Sequence, residues 1–342
     1  MSAAERPDLP VTEGDVTAPK KRRRVLRVAL IVLATVLVGA LGAGAYYAVS
    51  IENSVTKNVN RADTLPVDGS SDSTSASPTT EPDTGTLDYV LLGSDSRSTD
   101  PGEGRSDSIM VVHLDKSRNK AYIVSFPRDM YVEIPGHGMN KINAAYSYGG
   151  AQLTVKTLQN LLGYKMDHVV LIDFQGFIDL TKDLGGVQVK NKTAFTSHGY
   201  TYPKGTITIS GKKALWFVRE RHALPGGDLD RAANQRNVIK AVVEKGLSAD
   251  VIADPARFTN FLGNVAKNIT VDQTLTDSDI RNTALSLRLS ASDIELLQAP
   301  LSGFTSIGGQ DVDVVDKAKM AELAKAMKND TMDAYLKKYP KG

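Results

Sequence analysis

The sequence has no cysteine, one tryptophan and five histidines in 342 residues. Without cysteine there are no disulfides, thiolate zinc centres, iron–sulfur clusters or cysteine nucleophiles. The histidines (His113, His137, His168, His198, His222) show no metal-ligand spacing, and only His222 lies inside a charged motif. The Walker A loop, the Rossmann GxGxxG, the GxSxG elbow and HExxH are also missing. Strong net charge is absent: 41 Lys+Arg stand against 39 Asp+Glu. Residues 1–49 hold seven basic and four acidic side chains, and the remainder holds 34 and 35. The bulk of the chain thus lacks the footprint for wrapping nucleic acid, which is excluded as a partner.

A hydrophobic share of 41% supports a sizeable core. A fold above about 200 residues stands without disulfides, so an extracellular location stays open. Val28–Val49 is 22 residues without a charge. As a helix it spans about 33 Å, enough to cross a bilayer core. Tyr46 and Tyr47 sit near its far end, and Lys20–Arg24 with Arg27 abut its near end. The positive-inside rule makes residues 1–27 a cytoplasmic basic tail, 28–49 a transmembrane helix, and places the rest outside the cell. A cleaved signal peptide is the alternative. Ala43-Gly44-Ala45 imitates a cleavage site, but the run exceeds an h-region of about 7–15 residues.

Residues 50–86 read as a flexible linker. In Leu65–Gly85, 17 of 21 residues are Ser, Thr, Asp, Pro or Gly, too polar to fold alone. From residue 87 to 342, strand and helix patterns alternate. Apolar runs at Asp88–Leu92, Ile109–Leu114, Ala121–Ser125, Val169–Ile172, Ile294–Leu297 and Val312–Val315 predict strands. Helical spacing is found in Gln152–Leu162, Phe174–Leu184, Ala214–Val218, Leu229–Leu247, Asp277–Leu289 and Lys317–Lys328. The alternation indicates one α/β domain.

Four motifs carry chemistry. Leu91–Arg97, LLGSDSR, closes a predicted strand and presents Asp95 and Arg97 where α/β sheets place ligands. Arg105-Ser106-Asp107-Ser108 leads into the next strand, so Asp95 and Asp107 can converge at one sheet edge. Two such carboxylates suit magnesium; they also serve as turn and cap residues. Ser125–Asp129, SFPRD, puts Arg128 in a turn after a strand, or makes a surface Arg–Asp pair. Phe217–Arg231, FVRERHALPGGDLDR, holds Arg219, Arg221 and Arg231 with Asp228 and Asp230. Arginine suits bidentate phosphate recognition, and Asp228 is placed to cap the next helix. Asp228, Arg231 and Gln235 share a helix face, although a solvated charged loop would look similar. Lys141–Tyr146, KINAAY, offers a point charge at Lys141 or a plain helix start capped by Asn143.

Taken in order behind one N-terminal anchor, these motifs, with SFPRDMYVEIPG and DFQGFIDLTKDLGGV, resemble the LytR–CpsA–Psr family of Gram-positive cell-envelope proteins. The resemblance spans roughly Leu87 to Asp333. It implies a single extracellular α/β/α domain with a central mixed sheet, tethered to one transmembrane helix, and an apolar cavity for a polyprenyl chain. The implied activity is transfer of a glycopolymer, such as teichoic acid, arabinogalactan or capsule, from polyprenyl pyrophosphate to peptidoglycan, with formation of a phosphodiester. By motif, Asp95 and Asp107 would hold Mg2+. Arg105, Arg128, Arg219, Arg221 and Arg231 would contact the pyrophosphate, with Arg97 and Lys141 nearby. Asp228 and Gln235 would orient the arginines or bind the metal's waters. The motifs assign no base for the hydroxyl proton; Asp95 and Asp129 are the candidates. Trp216 stands where Ala or Tyr is expected. A lipid-pyrophosphate hydrolase, a non-catalytic envelope lipid-binding protein and a regulator remain the alternatives.

Overall fold

A computed structural model describes Val49, Asn53, Ser54, Thr56 and residues 58–66, 85–95 and 106–340. Strands apolar on both faces settle inside a sheet covered on both sides. Ala121–Ser125, buried at all five positions, is such a strand. It belongs to a seven-stranded sheet in the order Asn60–Ala62, Thr270–Asp272, His168–Asp173, Leu87–Ser94, Ser106–Leu114, Ala121–Ser125, Ile294–Gln298. The first pair, the pair of His168–Asp173 with Leu87–Ser94, and the last pair are parallel. The other three are antiparallel, so the sheet is mixed, as expected.

On one face, Val90, Leu92, Val111 and Val124 pack against Val155 and Leu158 of helix Ala144–Leu162 and Leu323 and Met327 of helix Lys317–Lys328. On the other, Met110, Leu114, Ile123 and Ile294 meet Ile239 and Val243 of helix Asp228–Gly246. Each such buried side chain contributes about 1.5–3 kcal/mol. A further cluster joins helices Phe174–Asp183 and Gly211–Arg219 to two hairpins, Val187–Asn191 with Gly205–Ile209 and Phe195–Ser197 with Tyr200–Tyr202. A smaller sheet runs Leu301–Ile307, Gln310–Val315, Met130–Ile134, Gly138–Lys141.

The helix expected from Gln152 begins at Ala144 and kinks at Gly149-Gly150, where Gly150 takes φ 62 and ψ −153. Asn143 stands at its N-cap without a side-chain hydrogen bond. The stretch 50–86 is not all linker. Asn60–Ala62 is an edge strand, Arg61 pairs with Asp277, Thr64 is fully buried, and Leu65 packs on the main core. Parallel backbone pairing and one ion pair hold a segment whose composition alone would not fold. Residues 28–48 lie outside the described residues, so the expected transmembrane helix does too. No helix among the described residues is long and apolar enough to cross a membrane.

Asp272 anchors the outer part of the sheet. Its buried carboxylate accepts from the Val169 N–H at 2.9 Å, the Thr274 N–H at 2.9 Å and the Leu275 N–H at 3.0 Å. Burial works to raise its pKa, but His168, Thr274 and Val169 outweigh burial and bring it down to about 2. A depressed folded pKa means this stabilisation is complete above the ordinary 3.8 and is lost as pH falls toward 2. We expect acid unfolding of Asp272→Asn to be less steep between about pH 4 and 2 than that of the parent, read by circular dichroism.

Candidate active site

The carboxyl ends of strands Leu87–Ser94, Ala121–Ser125 and His168–Asp173 share one end of the sheet, where open α/β sheets take ligands. Ser94 pairs with Ser106, which puts Asp95 and Asp107 at the same end of this strand pair. Gly93 makes the approach possible: a Cβ there would lie 2.9 Å from Ser108 Cβ. Arg97 and Arg105 lie outside the described residues.

Arg128 is the hub. Its Nη1 donates to Asp107 Oδ1 at 2.7 Å, and its Nε lies 3.4 Å from Asp228 Oδ1 and 3.6 Å from Asp129 Oδ2. Burial alone would lower its pKa, yet Asp107, Asp129 and Asp228 raise it. Asp228 also holds Arg231 at 2.6 Å, and Lys141 Nζ sits 3.0 Å from Asp129 Oδ1. Burial pushes the Asp228 carboxyl up against the pull of Arg231 and Arg128, and pushes Arg231 down. The Nε–H groups of Arg128 and Arg231 are buried and make no hydrogen bond among the described residues. The Arg128 Nε faces the Asp228 and Asp129 carboxylates, and guanidinium groups that line a cavity suit an incoming anion.

Asp228 is not the helix cap that was expected. It is the first helical residue, and Gly227, at φ 54, is the N-cap. The acid sits in the first turn, where the helix dipole favours it, and neutralises Arg231 in the same turn.

A cavity of about 490 Å³ opens beside these groups. Its apolar wall includes Leu92, Met110, Ile172, Phe177, Val218 and Ile239. Its polar mouth carries Asp107, Arg128, Arg219, Arg221, Arg231 and Gln235. Gln235 also donates to the Val218 carbonyl at 3.3 Å, tying two helices together. Lys141, Asp228 and exposed Asp95 do not line it; Asp228 reaches it through its pairs with Arg128 and Arg231.

Several participants had no expected role. Glu220 accepts from the Arg221 and Ala223 N–H groups, each at 2.9 Å, and curls the arginine loop. Burial opposes ionisation of Glu220, but Ser197 and the N–H groups of residues 223, 222 and 221 bring its pKa down. Its position between two arginines was the available signal. Phe174, in DFQGF, lies under Arg219, 4.3 Å from the guanidinium carbon to the ring centroid. Asp313 has no sequence signal; tertiary pairing places it beside Asp129, whose carbonyl accepts the Asp313 N–H at 2.9 Å.

Asp313 Oδ2 is buried without a hydrogen-bond partner among the described residues. Burial, then Asp129 and Asp228, push its pKa up to about 6. With the folded pKa above 3.8, ionised Asp313 opposes folding, and stability falls as pH rises from 3.8 through 6. Asp313→Asn is expected to gain up to about 3 kcal/mol at pH 8 and almost nothing near pH 4 in urea unfolding.

Among the described residues no three His, Asp or Glu side chains gather to hold a metal. Magnesium needs only one or two carboxylates beside phosphate and water. Asp95 and Asp107, hard oxygen donors at one strand-pair end, fit that ion.

An apolar cavity under a ring of arginines defines an α/β protein shaped for an amphiphile with an anionic head. The chain belongs to the LytR_cpsA_psr family, whose model matches residues 46–329. It is 35% identical over 232 residues to the polyisoprenyl-teichoic acid–peptidoglycan teichoic acid transferase TagU of Bacillus mycoides, across 67% of this chain and 75% of that protein. For a Bacillus anthracis protein of the same name the figures are 39%, 55% and 62%. The crystal structure of B. subtilis TagV superimposes with a TM-score of 0.65 at 25% identity, covering 73% of this chain and 98% of that one. TagT bound to LIIa-WTA gives 0.58 at 28%, covering 78% and 99%.

Proposed function

We propose that the protein transfers a glycopolymer from a polyprenyl-pyrophosphate carrier to a peptidoglycan hydroxyl, forming a phosphodiester in cell-wall assembly. The observation that carries this reading is the juxtaposition of Arg128, Arg219, Arg221 and Arg231 with an apolar cavity. The cavity takes the polyprenyl chain and the arginines take the two phosphates. Teichoic acid, which appears in the names of the relatives, is the first polymer to try.

In this reaction the acceptor hydroxyl attacks the sugar-proximal phosphorus and polyprenyl phosphate leaves. The charge on two linked phosphates makes neutralisation and alignment the main task. Half-buried Arg128 and buried Arg231 meet it from ion-paired positions; Arg219 reaches in from the end of its helix and Arg221 from the loop that follows. Asp228 holds Arg231 and stands against Arg128, and Lys141 balances Asp129. The hydroxyl proton passes to a carboxylate, with Asp95 and Asp129 as candidates. Asp95 and Asp107 would hold magnesium, which supplies further neutralisation of the pyrophosphate. Residues 28–49 would anchor the chain as a single-pass span, with residues 1–27 cytoplasmic and the domain outside beside its lipid carrier and peptidoglycan.

The test uses the full-length chain in detergent with a polyprenyl-pyrophosphate-linked glycan and peptidoglycan, with and without magnesium. Release of polyprenyl phosphate and wall-linked polymer are measured together. Arg219→Ala and Arg221→Ala should each lower release about 10- to 100-fold. Unchanged release in both variants would sink the site assignment. Release without wall-linked polymer would make the protein a hydrolase.

A further inference from the structure

Arg219 is the last residue of helix Gly211–Arg219 and its side chain is exposed, a setting that normally leaves arginine with many rotamers. Here two rings confine it. Its guanidinium carbon lies 4.3 Å from the Phe174 centroid and 5.2 Å from that of Trp216. Trp216 is one turn earlier on the same helix, the i,i+3 spacing that puts both side chains on one face. Phe174 opens the neighbouring helix directly after strand His168–Asp173. All three residues line the cavity.

Trp216 is itself held. The His198 ring stacks on it with centroids 3.5 Å apart and planes 6° from parallel. His198 and Gly199 form the two-residue turn of the hairpin Phe195–Ser197 with Tyr200–Tyr202, and both have positive φ, 51 and 81. Asn-Gly is the pair such a turn favours. A left-handed histidine departs from the local preference, and what it brings is the ring on Trp216. Ser197, beside it, hydrogen-bonds to His198 Nδ1 at 2.9 Å and to the Glu220 carboxylate. The hairpin therefore reaches both the tryptophan and the loop that carries Arg221.

We propose that Phe174, Trp216 and His198 are positioning residues: the first two clamp the Arg219 guanidinium between their rings, and His198 braces the tryptophan from the hairpin. The inference rests on the phosphate-site reading given above. A confined guanidinium meets the anion with less entropy to lose, so the clamp acts on affinity for the pyrophosphate head.

The experiment is calorimetric binding of geranylgeranyl pyrophosphate to the full-length chain in detergent. Trp216→Ala should weaken binding about 10-fold, or about 1.4 kcal/mol, while Trp216→Tyr, which restores an aromatic face, stays within about threefold. His198→Asn keeps a turn-forming residue and should weaken binding about threefold without lowering Tm. The decisive readout is the cycle with Arg219→Ala. If the rings act through Arg219, Trp216→Ala adds less than about twofold in the Arg219→Ala background. A general packing role would leave the two losses additive, and additivity overturns the proposal. So does Trp216→Ala binding as the parent does. A parent that fails to bind the probe overturns the phosphate-site reading instead. The clamp is then judged in the free protein by NMR. Upfield ring-current shifts of the Arg219 Hδ protons that vanish in Trp216→Ala support it, and their absence in the parent overturns it.

Discussion

Arg128→Ala is expected to lower transfer about 10³-fold, because it removes a preorganised donor and the cation shared by three carboxylates. Asp107, Asp129 and Asp228 all lie within 3.6 Å of its guanidinium. Without it, Asp228 keeps Arg231 and Asp129 keeps Lys141, but Asp107 loses its ion-pair partner at the cavity mouth. Two phosphates would then approach a rim that has one positive charge fewer and an unpaired Asp107. Arg128→Lys keeps a charge but loses the fork that faces several acids at once, so it should recover only part of the rate. Steady-state release of polyprenyl phosphate checks both variants, and unfolding curves separate loss of rate from loss of fold. Full activity in Arg128→Ala would mean that this cation does not face the substrate.

The second large effect concerns the other half of the amphiphile. Ile239 lies on helix Asp228–Gly246, is partly exposed, and lines the cavity. With the site empty, a carboxylate at this position keeps contact with water. With a polyprenyl chain bound, it is desolvated with no partner supplied by the lipid. An unpaired buried charge costs several kcal/mol, so Ile239→Asp should weaken long-chain pyrophosphate binding about 100-fold or more. Ile239→Leu preserves volume and should bind normally. Inorganic pyrophosphate, which has no chain, should bind both variants alike. Equal loss for both probes would show a damaged site rather than a blocked channel.

Much of this site was legible because its residues follow the strand ends closely in sequence. LLGSDSR, RSDS and SFPRD each touch a strand terminus, and the alternating apolar runs located those termini to within a few residues. FVRERHALPGGDLDR showed its arginines and the helix beginning near Asp228. What was hidden depends on chain folding over long distances. Asp313 reaches Asp129 only through the pairing of Gln310–Val315 with Met130–Ile134. Asn60–Ala62 is three mostly polar residues whose strand character comes from its neighbour Thr270–Asp272. The Asp228 misreading was local. A favourable capping side chain was present, but Gly227 took the cap and left the acid free for two arginines. The hairpins from Val187 to Ile209 alternate buried and exposed in the fold, a weaker signal in short strands rich in Lys, Thr and Gln.

Trp216 carries one more consequence. It is the sole tryptophan of the chain, so all of the protein's indole emission originates at the cavity mouth. An imidazole lies flat against that indole and a guanidinium stands beside it. Displacement of Arg219 therefore changes the light emitted by the whole molecule. The native protein contains its own optical gauge of the site, and occupancy can be followed in real time without a dye.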